Sequence, residues 1–109
     1  MATPRIARPS PAPTRPYKRK LSREDAETGS ILITKDRWRH FPPPLQEFTV
    51  RVGRQSYVTT IVAEDCNCVP PPHQHLHLEA GHFAHLLRFQ AGDVIEIQPA
   101  RDVFIIRNG

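Results

Sequence analysis

The segment from His75 to Ile97 constrains the fold of this 109-residue chain more than any other. From His75 to Leu78, leucines alternate with histidines as in a strand, and Gly81 breaks that pattern. Apolar residues between Phe83 and Leu87 then follow helical spacing. An Ala-Gly-Asp turn precedes Val94 to Ile97, which is rich in β-branched residues. The segment therefore predicts strand, short helix, turn and strand. A unit this small cannot bury its apolar faces alone, and so it requires a partner.

A segment with the same pattern lies 45 residues upstream. Apolar residues coincide at this offset in eight pairs: Ile31 and Leu76, Ile33 and Leu78, Trp38 and Phe83, Phe41 and Leu86, Val50 and Ile95, Val52 and Ile97, Val58 and Val103, Ile61 and Ile106. The register breaks at Pro42-Pro43-Pro44 and at Phe48, which meets Asp93. Two unrelated stretches of strand, helix and strand remain an alternative. The ungapped register favours an internal duplication.

Charge divides the chain into two parts. Residues 1–29 contain seven Lys or Arg against three acidic residues, whereas residues 30–109 contain eight of each sign. The first part has five prolines and few large apolar residues, so we expect a disordered basic tail over residues 1–29. Its run Lys18-Arg19-Lys20 could reach phosphates. Within this part, Ser22 to Asp25 could begin one helical turn that ends at Gly29.

Residues 30–109 are expected to form one mainly β domain. Strand patterns cover 31–33, 47–52, 57–63, 75–78, 94–97 and 103–106, and Asp36 could cap a short helix that turns Trp38 and Phe41 inward. Val103 to Ile106 is apolar on both faces, which is typical of a central strand. A sheet with this much two-faced apolar strand must curl or be covered, so the architecture is expected to resemble a barrel.

These residues carry a family resemblance. Two copies of strand, short helix and hairpin, with Leu86-Leu87 followed by Gly92-Asp93-Val94-Ile95-Glu96-Ile97 in the second, resemble the DNA-binding pseudobarrels. That fold is shared by plant auxin-response-type transcription factors and by the recognition domains of some restriction endonucleases. The second-copy pattern is also similar to swapped-hairpin bacterial transition-state regulators. Over residues 30–109 the resemblance implies a small pseudobarrel of two strand-helix-hairpin repeats with two short helices.

The resemblance also implies a small module that binds double-stranded DNA. In the family, two loop-and-strand arms, one from each copy, grip the major groove. The arms implied here are an amino-side arm at Lys35, Arg37 and Arg39, and a carboxy-side arm around His77, Glu79, His82 and Arg88. A hairpin with Arg51, Arg54 and Gln55 could add phosphate contacts. Because residues 30–109 have no excess charge, their DNA surface requires segregation of charges onto one face.

The histidines support a second hypothesis. His73, His75 and His77 share one face of a strand, because strand side chains alternate. Histidines two residues apart are workable metal ligands, and His73-x-His75-x-x-x-Glu79 matches the first metal motif of the cupins. The alternative is therefore a cupin-like metal-binding protein or enzyme with a divalent ion such as zinc. Glu79 lies only 13 residues before Gly92, and this spacing is too short for the cupin hairpin. We favour no cofactor.

Other functions have less support. The sequence has no nucleophile-elbow pattern and no Gly-rich phosphate loop, so we do not expect an enzyme. A third hypothesis is a protein-interaction module whose Pro-rich segments are recognised by a partner. No apolar run is long enough for a membrane span or a secretory signal. Cys66 and Cys68 are too close for an unstrained disulfide, so we expect a reduced compartment, cytoplasmic or nuclear.

Overall fold

The computed structural model describes residues 15–66 and 73–109, and this part of the chain is mainly β, as predicted. The elements in chain order are β1 (Tyr17–Lys20), α1 (Arg23–Thr28), β2 (Ser30–Ile33), a first 3-10 helix (Lys35–His40), β3 (Phe48–Val52), β4 (Gln55–Thr59), β5 (Ile61–Cys66), β6 (His73–Glu79), a second 3-10 helix (Ala84–Leu86), β7 (Val94–Ala100) and β8 (Val103–Asn108).

The strands form two sheets. A five-stranded sheet has the order β1-β7-β8-β3-β4, and a three-stranded sheet has the order β2-β6-β5. The β3–β8 pair is parallel, and the other pairs are antiparallel. The two-faced apolar segment Val103 to Ile106 lies in β8, the middle strand of the larger sheet, as expected for a strand covered on both faces.

One predicted strand is divided between the two sheets. The pattern from 57 to 63 indicated a single strand, but β4 ends at Thr59 in the larger sheet and β5 begins at Ile61 in the smaller one. Between them, the carbonyl of Thr60 accepts a hydrogen bond from the amide of Glu79, and the Thr59 hydroxyl donates to the Glu79 carbonyl. These bonds to the end of β6 fix the corner at which the chain changes sheet, a feature of packed sheets whose strands bend.

Both sheets contribute side chains to one core. Ile31, Leu78 and Ile61 from the smaller sheet are fully buried, as are Ile95 and Val50 from the larger one. Phe83, which enters the second 3-10 helix, is fully buried and packs its ring against Tyr57 at 5.7 Å between centroids. Each such apolar side chain stabilises the fold by about 1.5–3 kcal/mol relative to an exposed position.

The predicted disordered tail is wrong for residues 15–29. Tyr17 and Leu21 are buried, and β1 forms an antiparallel pair with β7. The composition of this segment is polar, but the alternation of side chains along β1 turns Tyr17 toward the core. Burial of this ring provides apolar surface that the composition did not predict. The predicted helical turn is confirmed as α1, since Ser22 and Asp25 form a capping box and Gly29 ends the helix in the left-handed conformation. Residues 1–14 lie outside the described part.

The two halves of the chain have matching element orders but different packing. Each half has a strand, a 3-10 helix and two further strands. Phe83 is fully buried, whereas Trp38, its counterpart at the 45-residue offset, is half-buried. Leu86, which helical spacing predicted to face inward, is 41% exposed and ends the three-residue second 3-10 helix. The cap position of the first 3-10 helix is Thr34 and not Asp36. The duplication itself stays a prediction.

Candidate nucleic-acid interface

A groove rich in cations runs between β1 and the start of the first 3-10 helix. We call it the basic groove, and it is lined by Arg15, Pro16, Tyr17, Lys18, Arg19, Lys20, Thr34, Asp36 and Arg37. Five of these residues are Lys or Arg and one is acidic. β1 is an edge strand of the larger sheet, so one side of its backbone has no strand neighbour among the described elements. The groove therefore combines cationic side chains with an open backbone edge.

Alternation along β1 decides which of its cations are available. Tyr17 and Arg19 lie opposite Ile97 and Ile95, on the core side of the sheet. Lys18 and Lys20 point to the other face and are exposed. The two lysines of the predicted Lys-Arg-Lys cluster can therefore contact a ligand while the strand remains packed.

Arg19 has a structural partner. Its Nη2 lies 2.8 Å from Asp25 Oδ2, and its Nε donates a hydrogen bond of 2.9 Å to the same oxygen. That oxygen also accepts the Ser22 amide in the capping box of α1. Because Asp25 is buried, its carboxylate requires these donors. Arg19 therefore joins β1 to α1, and the guanidinium is not available to a ligand in this arrangement.

Arg37 shapes the basic groove. Its guanidinium donates to the carbonyls of Pro16 and Arg15, at 3.2 and 3.4 Å, and lies 5.6 Å from the centre of the Tyr17 ring. These contacts bring the residues before β1 against the first 3-10 helix. The helical position of Arg37 suggested that its side chain projects to solvent beside Lys35 and Arg39. Instead, the side chain turns back onto the residues before β1.

A second groove, on the α1 side of the smaller sheet, is acidic. We call it the acidic groove, and it is lined by Glu24, Thr28, Ser30, Val62, Ala63, Glu64, His77 and Glu79. The lining has three carboxylates and no Lys or Arg. His77 Nε2 lies 3.2 Å from Glu64 Oε1 without the alignment of a hydrogen bond, and both ring nitrogens are shielded from solvent. The described part of the chain thus has two grooves whose linings are of opposite charge.

No protein-family model matches the chain, and no curated protein sequence matches it significantly. Among solved structures, the Arabidopsis FUS3–DNA complex matches over 84% of this chain and 93% of that chain, with a TM-score of 0.67 and 16% sequence identity. The chain therefore has the pseudobarrel fold of that structure. The match establishes the pseudobarrel architecture predicted from the sequence, and the low identity limits the likeness to the fold.

The pseudobarrel does not bring the residues of the predicted carboxy-side arm onto one basic surface. His77 and Glu79 line the acidic groove, and His82 is exposed at the turn beyond β6. Arg88 is exposed elsewhere, and its backbone amide and carbonyl are bonded to the side chain of Asn108 at the end of β8. These residues are near one another in the sequence, but only His77 and Glu79 lie on β6, and His82 and Arg88 follow the end of that strand.

The remaining predicted cations lie apart from the basic groove. Lys35 is exposed, with its Nζ 5.8 Å from the Trp38 ring centre, and Arg39 is exposed on the same 3-10 helix. Arg51, Arg54 and Gln55 are exposed on the β3–β4 hairpin. In the order of the larger sheet, β4 is four strand spacings from β1, about 19 Å. A ligand that contacts both the hairpin and the basic groove must therefore extend across the larger sheet.

The cupin-like ligand set is not assembled in the pseudobarrel. β6 is extended from His73 to Glu79, so His75 and Glu79 are about 14 Å apart along the strand. Among the described residues, no group of three or more His, Cys, Asp and Glu has the arrangement of a metal site. His73 and His75 do approach each other, with 3.2 Å between their Nε2 atoms. Cys66 ends β5, and Cys68 lies outside the described residues.

Sequence reasoning missed Arg15 and the partner of Arg19. The signal for both was the alternation in Tyr17-Lys18-Arg19-Lys20, in which the aromatic residue and the arginine share a face. Residues 15–29 were assigned to the disordered tail because their composition is polar, and this strand pattern was given less weight.

The Pro-rich segments give no support to a protein partner. The described one, Pro42 to Pro44, is a connection before β3, and the others lie largely outside the described residues. None of the described helices is long and apolar enough to cross a bilayer.

Proposed function

We propose that this chain is a DNA-binding module whose main phosphate contacts are made by the basic groove. The observation that carries the proposal is the convergence of Arg15, Lys18 and Lys20 beside Arg37, on a fold similar to one solved in complex with DNA. Four cations of the predicted tail and one cation of the predicted amino-side arm line the same groove. Because these cations lie apart from the carboxylates of the acidic groove, they form a positive surface. The balanced net charge of residues 30–109 did not predict that surface.

The open edge of β1 supports the same function. Phosphate oxygens accept hydrogen bonds from backbone N–H groups as well as from Lys and Arg. Lys18 and Lys20 are exposed and lie on the face of β1 opposite to Tyr17, so they can follow a phosphate backbone without disturbing the strand. Arg37 has a structural role, because its hydrogen bonds to the Pro16 and Arg15 carbonyls hold the wall of the basic groove in place.

The acidic groove orients the module. Three carboxylates around His77 repel a phosphate backbone, so the duplex approaches from the basic side. On that side, Lys35 and Arg39 are exposed on the 3-10 helix that carries Arg37, and they could extend the contact. We expect the chain to act in a compartment that contains DNA, such as the nucleus.

The experiment measures binding to a random-sequence duplex by fluorescence anisotropy across a range of salt concentrations. Each phosphate neutralised by a cation contributes about −0.9 to the slope of log K against log salt. Lys18→Ala combined with Lys20→Ala is expected to flatten the slope by up to about 2 units. Arg37 is left intact in this variant because its replacement would also loosen the groove.

The matched control removes the same charge outside the groove. Arg23 and Arg101 are both exposed and do not line the basic groove, so Arg23→Ala with Arg101→Ala should leave the slope close to that of the unmodified chain. Equal effects of the two double variants would show non-specific attraction and would reject the groove. Absence of binding at low salt by the unmodified chain would reject the DNA function itself.

A further inference from the structure

Two imidazoles meet at the start of β6. The Nε2 atoms of His73 and His75 are 3.2 Å apart, and the two rings are nearly perpendicular with their centroids 4.7 Å apart. Both residues are half-buried and share one face of the strand. Without a metal ion, this contact requires one ring to donate its Nε2 proton and the other to accept it, so it depends on a particular pair of tautomers.

We propose that His73 and His75 bind a divalent transition-metal ion of the zinc class through their Nε2 atoms. Zinc–imidazole bonds are about 2.0–2.1 Å long in tetrahedral sites, which places two such nitrogens about 3.3–3.4 Å apart. The observed separation is within a few tenths of an ångström of that value. Imidazole nitrogen is a ligand suited to zinc, copper and nickel. A bound ion would replace the shared proton without a large movement of either ring.

The neighbouring charges favour a cation at this position. Glu64 lies directly opposite His75 in the β5–β6 register, and so it shares the face of the two histidines. Its side chain is 63% exposed, so its carboxylate adds negative charge to this face and stays accessible to water. The next histidine on this face, His77, contacts Glu64 and is mostly buried, so it is assigned no ligand role. The remaining coordination positions are assigned to water.

The metal site is separate from the proposed DNA contacts. Neither His73 nor His75 lines the basic groove or the acidic groove. Metal binding can therefore be measured on the full chain without DNA, and failure of one proposal leaves the other standing. The site also differs from the cupin-like set of the sequence analysis, since it does not include Glu79.

The first experiment follows imidazole nitrogens by long-range proton–nitrogen NMR during a titration with zinc chloride. The Nε2 resonances of His73 and His75 should shift together and saturate, whereas those of the exposed His82 and His85 should not. Uniform small shifts of all histidines would indicate weak surface association and would overturn the site. A titration without any change would do the same.

The second experiment tests the two ligands by calorimetry with zinc. His75→Gln should abolish saturable binding, and His82→Gln should leave it unchanged. Glutamine keeps a polar side chain of similar length, and the backbone amide spectrum of each variant shows whether the fold is retained. The NMR titration of the unmodified chain decides the question if His75→Gln does not fold. Unchanged binding by a folded His75→Gln chain would contradict the proposal.

Discussion

The hydroxyl of Tyr17 donates a 2.6 Å hydrogen bond to the backbone carbonyl of Leu32 and thereby joins the two sheets. Tyr17 belongs to β1 of the larger sheet, and Leu32 belongs to β2 of the smaller one. The same hydroxyl accepts a bond of 3.3 Å from the amide of Thr34, at the entry to the first 3-10 helix. The phenol is thus a polar bridge at the base of the basic groove.

This bridge predicts a loss of stability at high pH. Burial is the main cause that raises the pKa of Tyr17 above its ordinary value of 10.0. The folded chain therefore holds the phenol proton more tightly than the unfolded chain. Its contribution to the free energy of unfolding is complete below about pH 10 and is lost as the pH rises through the folded pKa. Denaturant unfolding between pH 8 and pH 11.5 measures this slope.

Two conservative variants isolate the effect of Tyr17. Tyr17→Phe should be less stable at pH 8 by about 1–2 kcal/mol, because the Leu32 carbonyl and the Thr34 amide lose a partner. Its stability should then fall less steeply above pH 10 than that of the unmodified chain. Tyr57→Phe should keep the original slope, since its hydroxyl makes only an exposed contact with Gln55. Parallel pH profiles for all three chains would refute the assignment to Tyr17.

A second prediction separates the neighbouring cations Arg19 and Lys18. Arg19→Ala leaves the buried carboxylate of Asp25 without its cation and should lower the free energy of unfolding by about 2–3 kcal/mol. Lys18→Ala is an exposed substitution and should change stability by no more than about 0.5 kcal/mol. In DNA binding the ranking should be reversed, with the larger change in salt slope for Lys18→Ala. Thermal unfolding and anisotropy on the same samples test both halves.

The third prediction concerns the two aromatic residues that the 45-residue offset pairs. Phe83→Ala should destabilise the chain by about 3–5 kcal/mol, because its ring is fully buried against Tyr57. Trp38→Ala should cost less, because the half-buried indole lies at the rim with its Nε1 bonded to the Ile33 carbonyl at 3.0 Å. Urea titrations give both values. Equal costs would support equivalent packing in the two halves, contrary to the structure. Phe83→Leu provides a milder variant if the alanine chain does not fold.

The sequence predicted most of the strands because their apolar alternation is local. Ile95 and Ile97, for example, reach the core through a period of two that any partner strand would satisfy. The division of the 57–63 segment was not predictable in this way. The corner between β4 and β5 depends on hydrogen bonds that Thr59 and Thr60 form with Glu79, which is distant in the sequence. A continuous strand and a segment that is divided between two sheets have the same local alternation of apolar residues.

The candidate site was less predictable than the fold. Lys18 and Lys20 were identified from their charge, but the role of Arg19 depends on Asp25, which lies on the next element. Arg37 was assigned to solvent from its helical position, and only the approach of Pro16 reveals its anchoring role. Charge identity is visible in a sequence. The partners that neutralise or orient a charge depend on tertiary structure.

The pairing of Tyr17 with Ile97 has a consequence for synthesis on the ribosome. β1 emerges well before its strand partner β7, because five other strands lie between the two in the sequence. Closing such a long loop is entropically costly and is slow compared with local pairing. The cations of β1 therefore acquire their ordered arrangement only after β7 has been synthesised. A nascent chain that does not yet include β7 carries the same positive residues without the strand pair, so the proposed phosphate contacts are restricted to chains that contain β7.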